Sequence, residues 1–355
     1  MIAMKQQHTF SIAGRKVGAG HPVFIIAEVG VNHNGSIEMA KELIDAAKAA
    51  GADAVKFQMC DPDQMVVENA PKAAYQEKTA HGESHYDMLK RLYFGVAAHT
   101  ELKAYAKKKG IIFFSTPFSI PDARALISLK MPAMKVGSSD TNNFPQLRVM
   151  SRAKVPMLLS TGMSTLAEVA ASVKVIQKEG NSDILVFHCT TAYPTGDKEV
   201  NLKAMLTMRD AFHLPVGYSD HTPGTDVSIA AVALGASAIE KHITLDKTLP
   251  GPDHFASLEP QEFKSLVESV RRVERILGTG EKVPTAGEKV IARVARKSIV
   301  AARDIPKGKK IEEDDLAFKR PGTGLSPSHS VDLVGKVARQ NVKKDARLTL
   351  AVVGK

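Results

Sequence analysis

The sequence predicts a closed (β/α)8 barrel followed by a small second domain. Three observations lead there. Eight short β-branched runs alternate with amphipathic stretches over the first 280 residues, no glycine fingerprint for a dinucleotide follows the first run, and the charge balance shifts after residue 280. The 355 residues exceed what one barrel of about 250 requires, which leaves room for a small partner domain. With 44% hydrophobic and 24% charged residues the chain is neither disordered nor fibrous. No apolar run approaches the roughly 20 residues of a membrane span, so no membrane association is expected.

The predicted strands, in order, are VFIIAE (23–28), AVKFQ (54–58), IIFFST (111–116), AMKVGS (133–138), PMLLST (156–161), ILVFHCT (184–190), PVGYSD (215–220) and AIEKHITL (238–245). Between them the i, i+3, i+4, i+7 spacing of Ala40, Leu43, Ile44 and Ala47, and again of Phe263, Leu266, Val267 and Val270, is that of helices laid on a sheet. Thr165 and Glu168 in TLAE read as a capping box. The polar, glycine-containing residues 278–290 read as a linker. This divides the chain into a barrel over 1–280, a linker over 281–297 and a small, mostly non-helical domain over 298–355, which is too short to bury much core by itself.

The net charge of +10 is uneven. From residue 281 onward there are 17 Lys or Arg against 9 Asp or Glu, a net of +8, which leaves 31 against 29, or +2, before it. Without tryptophan, with 5% aromatics and with no nucleic-acid-reading motif, that basic tail is not expected to bind nucleic acid. Two cysteines allow at most one disulfide, and MIAMKQQHTF lacks the apolar stretch of a secretory signal. A reduced, cytoplasmic protein is expected.

Active sites of such barrels lie at the C-terminal ends of the strands. There stand Glu28, Lys56, Gln58, Thr116, Lys135, Ser138, Ser160, Thr190, Ser219, Asp220, His221, Glu240 and His242. Taken singly, each has an ordinary reading as a helix cap or a solvated side chain; contributed by strands all round one mouth, they do not. Lys56 lies between Val55 and Phe57, and Lys135 between Met134 and Val136, so burying either demands an anionic partner. Two inward lysines with several hydroxyls fit a phosphate or carboxylate ligand. His221 and His242 end adjacent strands and could hold a transition metal with positions left open, or serve as hydrogen-bonding core histidines; Glu240 shares a strand face with His242.

The blocks IIAEVGVNHNG (25–35), GADAVKFQ (51–58), FSTPFS (114–119), MKVGSSDTNNFP (134–145), LSTGM (159–163), HCTTAYPT (188–195), GYSDHT (217–222) and AVALGASAIEKHITLDKTLPGPDH (231–254) resemble, in order, those of the sialic acid synthases. The tail, with FKRPGTGLSP (318–327), resembles that family's antifreeze-like (SAF) domain. The resemblance implies an enzyme condensing phosphoenolpyruvate with N-acetylmannosamine, or a related N-acylated hexosamine, and water to give a nine-carbon 2-keto sugar acid and phosphate. It places Lys56, Lys135, Thr116, Ser138, Ser160 and Ser219 around phosphoenolpyruvate, and a manganese or magnesium ion on His221 and His242. It puts Glu28, Gln58, Tyr193 and Asp253 against the amino sugar, and makes the chain a domain-swapped homodimer in which Arg320 reaches the partner's barrel mouth. Thr191 departs from the Asn or Ser of the family but keeps a hydroxyl. GSSDTNNFP and HITLDKT look closer to N-acetylneuraminate synthases than to pseudaminate ones, while legionaminate, pseudaminate and N-acetylneuraminate 9-phosphate synthases share the scaffold. An ice-binding role for the tail conflicts with its strong positive charge.

Overall fold

The computed structural model describes residues 8–73, 76–77 and 82–354. Residues 1–7, where most of the expectation of a missing secretory segment rests, lie outside the described residues. The chain divides into two compact units at Gly278/Thr279.

The first unit opens with a hairpin, β1 (Phe10–Ile12) and β2 (Arg15–Val17), and continues into eight parallel strands: β3 (Phe24–Gly30), β4 (Ala54–Met59), β5 (Ile112–Pro117), β6 (Met134–Val136), β7 (Met157–Ser160), β8 (Ile184–His188), β9 (Val216–Asp220) and β10 (Ala238–His242). Each predicted strand is found within a few residues of its expected ends. β10 pairs with β3, Glu240 opposite Ile26 and His242 opposite Glu28, which brings the last strand beside the first. The hydrogen-bonded order runs β5, β4, β3, β10, β9, β8, β7, β6, so β5 and β6 flank the seam of a nearly closed barrel.

The period of two in each strand builds two apolar layers. One set, Phe24, Ile26, Ala54, Phe114, Ala133, Leu158, Leu185, Phe187 and Ala238, packs with Phe10, Ile12 and Val17 of the hairpin as an apolar floor inside the barrel. The alternate set, including Ile25, Val55, Phe57, Met157, Val186 and Ile239, packs under the helices. Helix Ile37–Ala50 shows how local sequence serves this: Ser36 accepts from the Met39 amide, Ala40, Leu43, Ile44 and Ala47 are buried, and Gly51 ends it in the left-handed region at φ 88°. The Thr165–Glu168 capping box opens helix Leu166–Lys178, and Phe263, Leu266, Val267 and Val270 are the buried face of helix Pro260–Leu277.

In the second unit, β11 (Ser298–Ala301) pairs antiparallel with β12 (Leu316–Lys319), and β13 (Val337–Ala338) with β14 (Val353–Gly354), around Ile299, Ile305, Ile311, Leu333, Val342 and Leu348. One expectation is corrected. The linker placed at 281–297 contains helix Ala286–Ala295, because Thr285 and Glu288 form a reciprocal capping box that outweighs the glycine at 287. Among the described residues, no helix is long and apolar enough to cross a membrane.

Candidate active site

Above the apolar floor the interior of the barrel turns polar. Lys56 and Lys135 are each only 3% exposed, although lysine side chains are long enough to reach water in most settings, so their charges must be met inside. Lys56 Nζ lies 2.8 Å from Glu28 Oε2 and 3.8 Å from Glu240 Oε2, and donates to Thr116 Oγ1 at 3.0 Å. Lys135 Nζ lies 3.3 Å from Glu240 Oε1, donates to Ser160 Oγ at 2.6 Å, and sits 5.3 Å from the centroid of the Phe187 ring. Ser219 Oγ donates to Glu240 Oε1 at 2.9 Å. Glu240, on β10, thus stands between two cations contributed by β4 and β6.

The two carboxyls of this cluster are driven apart. Burial pushes Glu28 up to about 7, against the opposing pull of Lys56, with the Glu240 charge adding to the rise. Burial would raise Glu240 as well, but Lys135, Lys56 and the Ser219 hydroxyl together outweigh it and hold it at about 2. One group is therefore poised to exchange a proton near neutrality while its neighbour stays ionised, a division suited to acid–base work. Gln58 Nε2 donates to Glu28 Oε1 at 3.0 Å and fixes that carboxyl in the mouth.

His221 and His242 face the same cavity with ring centroids 5.7 Å apart. His221 Nδ1 bonds to the carbonyl oxygen of Thr190 at 2.7 Å, leaving Nε2 toward the cavity, where it lies 3.1 Å from the Tyr193 hydroxyl. His242 Nδ1 is buried with no hydrogen-bond partner and lies 3.8 Å from Asp253 Oδ2. Burial lowers His221 to about 4 and holds His242 well below the usual imidazole range, which favours the neutral form of both. It also raises Asp253 to about 6. Among the described residues no three His, Cys, Asp or Glu side chains converge as a complete metal cage. Two neutral imidazoles, one oriented by a backbone carbonyl and one with an unsatisfied nitrogen, nevertheless make a donor pair that fits a divalent cation completed by other ligands.

Of the remaining predicted residues, Ser138 accepts from the Gly162 amide at 3.1 Å and lies 3.2 Å from Cys189 Sγ. Ser138, Thr191, Tyr193 and Asp253 line the same cavity. Arg320 belongs to the second unit, exposed just beyond β12. Sequence reasoning missed the apolar wall formed by Val31, Met65, Met88, Leu89, Leu92 and Phe118. Val31 and Phe118 follow β3 and β5, while Met65, Met88, Leu89 and Leu92 come from the excursion after β4, whose helices Pro62–Met65 and His85–Leu92 are too short for a firm periodic signal.

A nearly closed parallel barrel gathers buried cations, carboxyls and paired imidazoles in one C-terminal mouth, the arrangement expected of a barrel enzyme's site. The family model described as NeuB family matches residues 43–282 and that of the SAF domain residues 296–353. The chain is 46% identical over 336 residues to the N,N'-diacetyllegionaminic acid synthase of Legionella pneumophila, covering 93% of this chain and 94% of the relative. It is 40% identical over 334 residues to the human N-acetylneuraminate-9-phosphate synthase, covering 94% and 93%. The solved structure of the sialic acid synthetase from Leptospira borgpetersenii superposes with a TM-score of 0.72 at 33% identity, covering 80% of this chain and 95% of that one. The chain belongs to the NeuB family of sialic acid-type synthases, and it is an enzyme of that family.

Proposed function

We propose that this enzyme condenses phosphoenolpyruvate with an open-chain N-acylated hexosamine and water, giving a nine-carbon 2-keto sugar acid and inorganic phosphate. The observation that carries this reading is the pair of buried lysines, each bonded to a strand-end hydroxyl and both drawn to Glu240, facing two neutral imidazoles across one mouth. Lys56, Lys135, Thr116, Ser138, Ser160 and Ser219 supply the cations and donors that a phosphate and a carboxylate require. Glu240, ionised throughout, keeps the lysines charged between turnovers. Glu28 and Gln58, with Tyr193, Asp253 and Thr191 at the rim, orient the sugar, and Glu28 moves a proton at the aldehyde-derived oxygen.

Carbon 3 of phosphoenolpyruvate attacks the aldehyde carbon, water adds at carbon 2, and the tetrahedral phosphate intermediate collapses with cleavage of the carbon–oxygen bond. His221 and His242 would hold a manganese or magnesium ion, which when bound supplies Lewis-acid polarisation of the aldehyde. In this reading Arg320 of a partner copy contacts the N-acyl group, the enzyme working as a domain-swapped homodimer.

Among acceptors, the apolar wall of Met65, Met88, Leu89, Leu92 and Phe118 favours a hexose bearing two acetamido groups over N-acetylmannosamine, since a second acyl methyl gains from burial where a hydroxyl does not. The 46% identity to a diacetyllegionaminic acid synthase points the same way. The deciding experiment measures phosphate release with a panel of N-acetylmannosamine, its 6-phosphate and a diacetamido hexose, with phosphoenolpyruvate labelled at the bridging oxygen. Label recovered in phosphate is expected; label retained in the sugar would refute attack at carbon 2, and no release with any acceptor would refute the reaction. For Arg320, mixing an Arg320→Ala chain with a Lys56→Ala chain should restore activity lost by each parent, and no recovery after verified subunit exchange would refute the in-trans role.

A further inference from the structure

Strands β9 and β10 follow the barrel's alternation: Ser219 and Glu240 meet inside, whereas Val216, Tyr218 and Ile239 belong to the apolar layer under the helices. The next residues of that outward layer are Asp220, which the sequence placed among the mouth residues but which the strand alternation turns away from the cavity, and Lys241; the parallel register sets them directly opposite each other. Their side chains are entirely enclosed, with Lys241 Nζ 3.0 Å from Asp220 Oδ2. Other strands of the barrel carry apolar residues in the same layer, such as Val29, Met59, Val136 and Leu159.

The contacts of this pair converge on one turn. Asp220 Oδ1 accepts from the backbone N–H of Thr222 at 2.8 Å and from its hydroxyl at 2.7 Å, while Oδ2 accepts from Ser228 Oγ at 2.5 Å on helix Asp226–Ala233. Lys241 Nζ donates to the carbonyl oxygen of Thr222 at 2.5 Å. His221 is the residue held between Asp220 and Thr222, and His242 directly follows Lys241. Stability alone does not explain such a pair, because replacing a buried ion pair by apolar residues of similar volume is often neutral or stabilising. What the pair adds is a definite geometry: it ties the turn bearing one imidazole to the strand bearing the other.

We propose that Asp220 and Lys241 are positioning residues that hold the His221 and His242 imidazoles in the relative orientation needed to share one divalent cation. This rests on the reading of those histidines as cation ligands. The test is titration of the metal-stripped full-length protein with Mn2+, followed by the electron paramagnetic resonance signal of free Mn2+, with a thermal unfolding curve for each variant. Lys241→Met and the charge-neutral double variant Asp220→Asn/Lys241→Met should weaken Mn2+ binding about 10- to 100-fold, the range usual for outer-shell partners of metal ligands. The double variant, with no unpaired charge, should keep a melting temperature close to wild type. Thr222→Val, which removes one bond to Asp220 and leaves the ion pair, should give a smaller shift in the same direction and covers the case in which the double variant does not fold. The melting-temperature gain from inorganic phosphate, which reports on Lys56 and Lys135, should be unchanged. A folded double variant, or failing that Thr222→Val, with wild-type Mn2+ affinity would overturn the proposal. Equal Mn2+ binding by wild type and His221→Ala would instead overturn the ligand reading, and the proposal with it.

Discussion

Glu240→Gln removes the one carboxylate shared by Lys56 and Lys135. Lys56 keeps Glu28 at 2.8 Å, but among the described residues no other carboxylate pairs with Lys135, which retains the Ser160 hydroxyl. Removing one partner of a buried ion pair costs about 3–5 kcal/mol, because the remaining charge is left uncompensated. At about 2–4 °C per kcal/mol for a unit of this size, the melting temperature should drop by roughly 6–20 °C. The same loss makes the mouth more electropositive, so an anion that needs both lysines should stabilise the variant more than the wild type. A ligand at about 100 times its Kd contributes about 2.7 kcal/mol, which is large enough to resolve by calorimetry. The assay is thermal unfolding at pH 7 with increasing phosphoenolpyruvate, run on both proteins, with turnover measured in parallel. A variant that melts within a degree or two of wild type, or that gains no more from phosphoenolpyruvate than wild type does, would show that Glu240 is not the counter-charge of the anion site.

Glu28, raised to about 7, contributes stability that is present below its ordinary value of 4.5 and lost as pH rises through 7, so the melting temperature of Glu28→Gln should depend less steeply on pH across that window; parallel profiles would contradict the shift. Chelation should abolish phosphate release and manganese or magnesium should restore it, while His221→Ala or His242→Ala should cost at least 100-fold in kcat/KM; full turnover by a metal-stripped mutant would sink the assignment. Gly162→Ala would place a Cβ 2.1 Å from Thr191 Oγ1 and 2.8 Å from Ser138 Oγ, so the KM for phosphoenolpyruvate should rise about tenfold, on the order of the 1.4 kcal/mol that displacing one hydrogen-bonding group represents. An unchanged KM would remove Ser138 from the anion site.

Much of the site was legible because the strand period of two is a strong filter. Lys56 between Val55 and Phe57 has to point where those residues do not, and if they pack under the helices the lysine faces the interior. The same reasoning covers Lys135 between Met134 and Val136, while Ser160 and Ser219 stood out by their place at strand ends and Glu240 by sharing a face with His242. Helix Ala286–Ala295 was not legible because Pro284 and Gly287 read as breakers, although Thr285 and Glu288 between and after them form the cap that starts it. The apolar wall was hidden in helices of four and eight residues, below the length at which a 3.6-residue period separates from chance.

Asp220 and Lys241 show a different limit. The parity that sends Glu240 and His242 inward sends Lys241 outward, toward the layer packed under the helices; a lysine is almost never fully buried unless paired, so the sequence alone suggests a side chain reaching past that layer to water. What reverses that expectation is 0% exposure, which requires helix Asp226–Ala233 overhead and a register that sets Lys241 against a carboxylate 21 residues earlier in the chain. Neither can be read from the triplet EKH itself. A charged residue inside an otherwise apolar outward layer is therefore a place where pairing between strands, rather than local pattern, determines the chemistry. In this barrel that pairing coincides with the two residues whose neighbours carry the imidazoles.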